Sequence, residues 1–245
     1  MTSPKFALLG SGGLLGRHVQ ELAAENGIDL QAAPRAAVDA QDPAAVRAWL
    51  SRVAPDVVIV NAAHTGGVQA NLASPATMLA DNARVALAGI GEACALGVTR
   101  LLYCGSGIVY PADAPQPYRE TDAGTGAMDP THLGYAAAKY LGMQYCEAVR
   151  QQHGLAYTAL LLGNMYGPGQ RWEPARSNVV AGLMRRLHEA KISGAAQVEV
   201  WGTGLAKRDV LYARDAAAAV LTIAAAPTLD HALINVASGA EVTIA

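Results

Sequence analysis

Two kinds of hydrophobic pattern alternate along the chain. Short apolar runs of strand length occur at Lys5–Leu9, Ile28–Ala33, Asp56–Asn61, Thr99–Cys104, Ala156–Leu162, Gln197–Trp201 and Leu233–Val236. Between them, apolar positions recur at helical spacing near Leu14–Asn26, Pro43–Val53, Ala73–Leu96, Thr131–His153, Ser177–Lys191 and Arg214–Ala225. A strand that is apolar throughout must be covered on both faces, and the intervening amphipathic helices supply the cover. The pattern predicts an α/β fold, a Rossmann-like doubly wound parallel sheet. Asp42-Pro43 and Asp215 stand where helix-starting residues belong.

Composition narrows the function classes. With 245 residues, 52% of them hydrophobic, the chain can bury one substantial core. Its net charge is −2 with both signs intermixed, so no basic stripe offers itself to nucleic acid. The apolar runs are too short to span a bilayer, and the first strand begins too early to leave room for a signal peptide. These features predict a cytoplasmic protein with neither a membrane nor a nucleic-acid partner. Cys94, Cys104 and Cys146 are odd in number and show no metal-type spacing, which fits reduced core thiols. The six histidines are scattered, and no metal is expected.

The chemistry begins at Gly10-Ser11-Gly12-Gly13-Leu14-Leu15-Gly16, between the first strand and the first helix. Glycines there permit a tight turn and close backbone approach to a pyrophosphate, which then sits at the positive helix end. The second strand ends in Ala32-Ala33-Pro34-Arg35, without the carboxylate that usually selects NAD. Arg35 can pair with a 2′-phosphate, so NADP is expected as cofactor and NAD is disfavoured.

Tyr135 and Lys139 fall one turn apart on a predicted helix, which sets the ammonium beside the phenol. A nearby cation favours phenolate and should lower the tyrosine pKa, as a proton donor to a carbonyl requires. Upstream, Ser106 follows the strand that ends at Cys104, at the sheet edge where α/β proteins place ligands. Its hydroxyl can hold the substrate oxygen that Tyr135 protonates. Ser106, Tyr135 and Lys139 are the expected catalytic set.

These residues resemble the extended short-chain dehydrogenase/reductase (NAD-dependent epimerase/dehydratase) family, in particular its GDP-L-fucose synthase-like branch. The similarity includes Ala62-Ala63-His64-Thr65-Gly66-Gly67-Val68-Gln69-Ala70-Asn71, Gly105-Ser106 through Tyr110-Pro111, and Pro130-Thr131 through Tyr135 and Lys139. It continues in Asn164-Met165-Tyr166-Gly167-Pro168 and in Val200-Trp201-Gly202-Thr203-Gly204 through Arg208-Asp209 and Asp215. The resemblance implies that Gly10, Gly12, Gly13, Leu14, Leu15, Gly16, Arg35, Asn61, Ala62, Ala63, Tyr135, Lys139 and Asn164 line the cofactor. It assigns the nucleotide-sugar to Ile108, Asn178, Arg186, Trp201 and Arg208, and it implies a homodimer.

Two of these positions depart from the branch. Ile108 and Asn178 stand where it places a cysteine and a histidine as epimerising base and acid, and neither exchanges a proton at neutral pH. His64 replaces a usual lysine and reads as a hydrogen-bonded structural residue. The expectation is therefore an NADP(H)-dependent oxidoreductase that reduces a keto group of a nucleotide-activated deoxysugar, or another small carbonyl, without epimerisation. An epimerase or dehydratase with an internal redox cycle, and a non-catalytic NADP-binding sensor, remain alternatives at this point.

The same reading divides the chain. Residues 1–163, rejoined by 205–236, form the NADP-binding domain, and the Gly/Pro-rich stretch from Gly163 to Pro174 leads out of the sheet. Residues 164–204 and 237–245 form a small C-terminal substrate lobe. Asn235–Ala245 has the pattern of a strand, a turn and the first residues of a helix that does not develop, as in a short protein or one lacking a C-terminal piece.

Overall fold

The computed structural model describes residues 3–173, 177–200 and 203–244. Six strands form one parallel sheet: β1 (Phe6–Leu9), β2 (Leu30–Ala32), β3 (Val57–Val60), β4 (Arg100–Cys104), β5 (Ala156–Leu162) and β8 (Leu233–Val236), in the order β2-β1-β3-β4-β5-β8. The chain leaves β1 toward β2 and then crosses back to β3, which makes the β1/β3 boundary the topological switch point. Ligand crevices of open α/β sheets lie there.

Because successive side chains point to opposite faces, each fully apolar strand feeds two cores. Phe6, Leu8, Ile59, Leu102 and Leu160 pack against α1 (Leu14–Glu25) and α7 (Ala213–Ala225) through Leu15, Val19, Val220 and Leu221. Ala7, Leu9, Val58, Val60 and Leu101 face the other way. They meet α2 (Pro43–Val53), α4 (Pro75–Ala95) and α5 (Leu133–His153) through Trp49, Leu50, Val85, Ile90 and Cys146. The expected doubly wound parallel sheet is present. Asp42 caps α2, its carboxylate accepting from the Ala44 N–H at 2.9 Å, and Asp215 lies in the first turn of α7.

Two local expectations are corrected. The helix expected over Ala73–Leu96 runs as α4, and a separate short helix, α3 (Val68–Ala73), precedes it across Ser74. Pro75 drives its predecessor out of the helical region (Ser74 φ −143°, ψ 53°) and begins α4 itself. The strand expected at Gln197–Trp201 is not formed over its described residues 197–200. The extended segments lie instead in a second sheet, where β7 (Lys207–Tyr212) pairs parallel with β6 (Asn164–Tyr166) and antiparallel with β9 (Glu241–Thr243).

The chain end accordingly carries a strand rather than an incipient helix. Asp209 on β7 accepts hydrogen bonds from the Ser238 N–H, the Ser238 hydroxyl and the Gly239 N–H, and this turns the chain back onto β7. The helix expected at Ser177–Lys191 runs as α6 (Val179–Ser193), capped by Asn178. Among the described residues, no helix is long and apolar enough to cross a membrane.

Candidate active site

The glycine turn after β1 is shaped by close contact. Gly10 has φ +99°, and a Cβ there would lie 2.2 Å from the Ala62 nitrogen; a Cβ on Gly16 would lie 2.3 Å from the Gly10 oxygen. Both positions accept only glycine, which lets α1 start tightly against the ends of β1 and β3. Three side chains hold the turn: Asn61 donates to the Gly10 carbonyl at 2.9 Å, Ser11 to the Ala33 carbonyl at 2.9 Å, and Gln20 to the Ser11 carbonyl at 3.0 Å.

The outer side of the turn is bare. A Cβ on Gly12 or Gly13 would meet nothing within 4 Å, and Gly13 caps α1 with no side-chain hydrogen bond. The start of α1 thus has open space beside it and N–H groups that no side chain caps, an arrangement suited to a pyrophosphate. Leu15 is buried and roots the helix in the core, while Leu14 is half-buried beside the turn. Arg35 is exposed in the turn after Ala33. Asp39 and Asp42 spend side-chain oxygens on the Gln41 and Ala44 N–H groups, the turn and capping roles.

The second half of the site lies where β4 ends. Ser106 caps the short turn Gly107–Val109, its oxygen accepting from the Ile108 N–H at 3.3 Å, which leaves the hydroxyl hydrogen to donate. Tyr135 and Lys139 reach the same place from α5. The Lys139 ammonium, 3% exposed, donates to the Cys104 carbonyl at 2.7 Å. It also lies 4.9 Å from the Tyr103 ring centre and 5.7 Å from that of Tyr135, within cation–π range. The three expected catalytic residues converge.

Their electrostatics correct one expectation. Burial pushes the Tyr135 phenol up to about 12, against a hydrogen bond from Ser106 that pulls it down. Burial also lowers Lys139 to about 8. Lysine therefore does not acidify the phenol of the protein alone: at the pH where Tyr135 would ionise, Lys139 is already neutral.

The remaining expected residues fall as follows. Ala62 lies against Gly10, Ala63 is exposed beyond it, and Asn164 is exposed at the start of β6. Ile108 packs partly against the core. Asn178 is fully engaged, accepting from the Ala181 N–H at 3.1 Å and donating to the Met165 carbonyl at 2.6 Å. On α6, Arg186 donates to the Glu199 carbonyl at 2.6 Å. Arg208 lies on β7 beside an apolar groove formed with Val179, Leu183 and Leu187 of α6 and Val242 of β9. Trp201 lies outside the described residues. His64 bonds Asp81 through Nδ1 at 2.9 Å.

Three supporting residues had not been expected from the sequence. Tyr103 and Cys104 supply the ring and carbonyl that hold Lys139. Asn82, 2% exposed, clamps the His64 backbone by accepting from its N–H and donating to its carbonyl, both at 3.0 Å. The available signal was a lone amide on the otherwise apolar Met78/Val85/Ala86 face of α4. Among the described residues no group of three or more histidines, cysteines or carboxylates could hold a metal.

The profile of the NAD dependent epimerase/dehydratase family matches residues 7–237. GDP-L-fucose synthase 1 of Arabidopsis thaliana is 38% identical, over 99% of this chain and 75% of its own length. GDP-L-fucose synthase of Escherichia coli K12 is 32% identical, over 100% and 79%. Among solved structures, MlghC, a GDP-mannoheptose C4 reductase from Campylobacter jejuni with NADP bound, superposes with a TM-score of 0.85 at 24% identity, covering 100% of this chain and 83% of its own. The chain belongs to the NAD dependent epimerase/dehydratase family, whose members are nicotinamide-dependent oxidoreductases and epimerases of the extended short-chain dehydrogenase type.

Proposed function

We propose that this protein is an NADP(H)-dependent reductase of a keto group in a nucleotide-activated deoxysugar, and that it reduces without epimerising. Gly12, Gly13 and the first turn of α1 receive the pyrophosphate, and Arg35 receives the 2′-phosphate. The cofactor, when bound, supplies the hydride. Ser106, turning its hydroxyl hydrogen from Tyr135 to the substrate, holds the carbonyl oxygen, and Tyr135 delivers the proton to that oxygen. At neutral pH a phenol whose pKa is about 12 is protonated and ready to donate. Lys139, with a pKa of about 8, is then still charged and stabilises the phenolate left behind. The relatives' names favour a guanosine-diphosphate sugar and NADP. On this reading residues 1–163 and 205–236 carry the dinucleotide, while 164–204 and 237–245 carry the sugar nucleotide, with Arg186, Trp201 and Arg208 on its diphosphate and base.

The observation that carries the loss of epimerisation is Asn178. Both ends of its amide are committed, one to the cap of α6 and one to β6. Together with the apolar Ile108, it leaves no proton exchanger at either position. The test supplies NADPH and GDP-4-keto-6-deoxymannose in deuterated water. Cofactor oxidation with no solvent deuterium beside the former carbonyl is expected; deuterium at those carbons would overturn the proposal.

We further infer a homodimer formed through α4 and α5. Leu79 and Leu87 on α4 and Leu133 and Leu141 on α5 are 41%, 52%, 55% and 37% exposed. Sedimentation as a monomer at micromolar concentration would refute it. We assign the reaction to the cytoplasm, in keeping with the free, buried thiols of Cys104 and Cys146.

A further inference from the structure

His18 lies on α1, one turn beyond the glycine turn, and is only 5% exposed. Its two ring nitrogens face two different acceptors. Nδ1 is 2.8 Å from the Glu21 carboxylate, and Nε2 is 3.1 Å from the Pro168 carbonyl. Neither a carboxylate nor a carbonyl oxygen can donate, so both contacts are hydrogen bonds only when both nitrogens carry hydrogen.

Pro168 belongs to the loop that follows β6, the strand that begins at Asn164. The same loop lies along α1 at a second point, where Gly169 (φ +82°) has the Arg17 guanidinium 3.5 Å from its Cβ position. Tyr212, at the end of β7, completes the surroundings, its ring centre 6.5 Å from that of His18 and 5.6 Å from that of Tyr166. Among the described residues, the titratable and charged groups around the imidazole are Glu21 and Arg17 on its own helix and Tyr166 and Tyr212 from the small sheet. Arg214 on α7 lies beyond them, paired with Glu25.

We propose that His18 is a positioning residue, a proton-dependent latch that holds the Tyr166–Gln170 loop against the dinucleotide helix and so fixes Asn164 relative to the glycine turn. A neutral imidazole keeps one N–H. The charged Glu21 acceptor holds it more strongly than a peptide carbonyl does, so Nδ1 retains the hydrogen. The Nε2 lone pair then faces the Pro168 oxygen, and repulsion frees the loop. The link to catalysis rests on the cofactor assignment made above; the latch itself does not.

The experiment follows hydrogen–deuterium exchange of residues 166–170 from pH 5.5 to 8.5, corrected for intrinsic exchange, in the full chain without dinucleotide. Exchange is expected to quicken roughly tenfold between the lowest and the highest pH, the scale of one charge-assisted hydrogen bond. His18→Gln, which offers an uncharged donor to Pro168, is expected to remove that pH dependence while keeping the loop protected. His18→Leu is expected to leave it unprotected at every pH. Imidazole nitrogen resonances at low pH should show both nitrogens of His18 protonated, a readout independent of how any variant folds. PH-independent exchange in the unsubstituted protein, or a single protonated nitrogen at pH 5.5, overturns the latch. If exchange behaves as expected but NADPH fails to bind, the cofactor assignment fails and the latch stands.

Discussion

α6 and α7 are amphipathic helices of similar length, 15 and 13 residues, yet they sit in the molecule differently. α7 buries Ala213, Ala216, Ala217, Val220, Leu221 and Ala224 against the sheet and α1. α6 buries only Ala181, while Met184, Leu187 and Ile192 are 52%, 57% and 74% exposed. An apolar stripe states what a helix is able to bury; how much it does bury depends on its neighbours. Stability is thus concentrated in the parallel sheet and its two helical layers, and the proposed chemistry is mounted on that rigid half. The proposed sugar side rests on caps and a few side-chain hydrogen bonds such as those of Asn178 and Asp209.

Substitutions can break this contrast, and the largest effect belongs to the proposed catalytic end. Tyr135→Phe removes the proton donor while keeping the ring beside Lys139, and turnover should fall about 10²–10⁴-fold with NADPH affinity retained. An unchanged rate measured by NADPH absorbance would leave Tyr135 without its role. In the sheet, Leu102→Ala opens a cavity at a side chain with no exposure, and unfolding in urea should lose about 2–5 kcal/mol.

A smaller change comes from pH. Lys139 is charged below about 8 and neutral above it, so the reduction rate should decline as pH rises through that value, approaching roughly tenfold per unit. Stability moves the other way. Because burial lowers the lysine below its usual 10.5, the unfolded chain binds more protons between about 8 and 10.5, and this group's contribution to stability rises with pH across that window. A rate profile flat to pH 9.5 would remove Lys139 from the mechanism. The smallest effect is expected on α6: Leu187→Ala should alter the unfolding free energy by no more than about 0.5 kcal/mol. A loss as large as that of Leu102→Ala would show that the two halves are equally integrated.

Much was legible in one dimension. Runs such as Val57–Val60, apolar at every position, announced strands covered twice. The glycines at 10 and 16, and the one-turn spacing of Tyr135 and Lys139, announced the turn and the proposed catalytic pair, because these features arise from local geometry. The small sheet was not legible. β6, β7 and β9 are short and partly polar, and they exist because Asp209 gathers the Ser238–Gly239 turn and because Asn164–Tyr166 meets Val210–Tyr212.

The order of residues along the chain by itself determined the layered sheet, the glycine turn and the membership of the proposed catalytic set, since each follows from periodicities of two or about four residues. Only the tertiary structure decided the protonation of that set, with Tyr135 raised and Lys139 lowered, because desolvation depends on everything packed around a group. It alone also joined His18 to Pro168, partners 150 positions apart. Contacts between residues so distant in the chain have no local pattern to announce them; they come into being when the layers close.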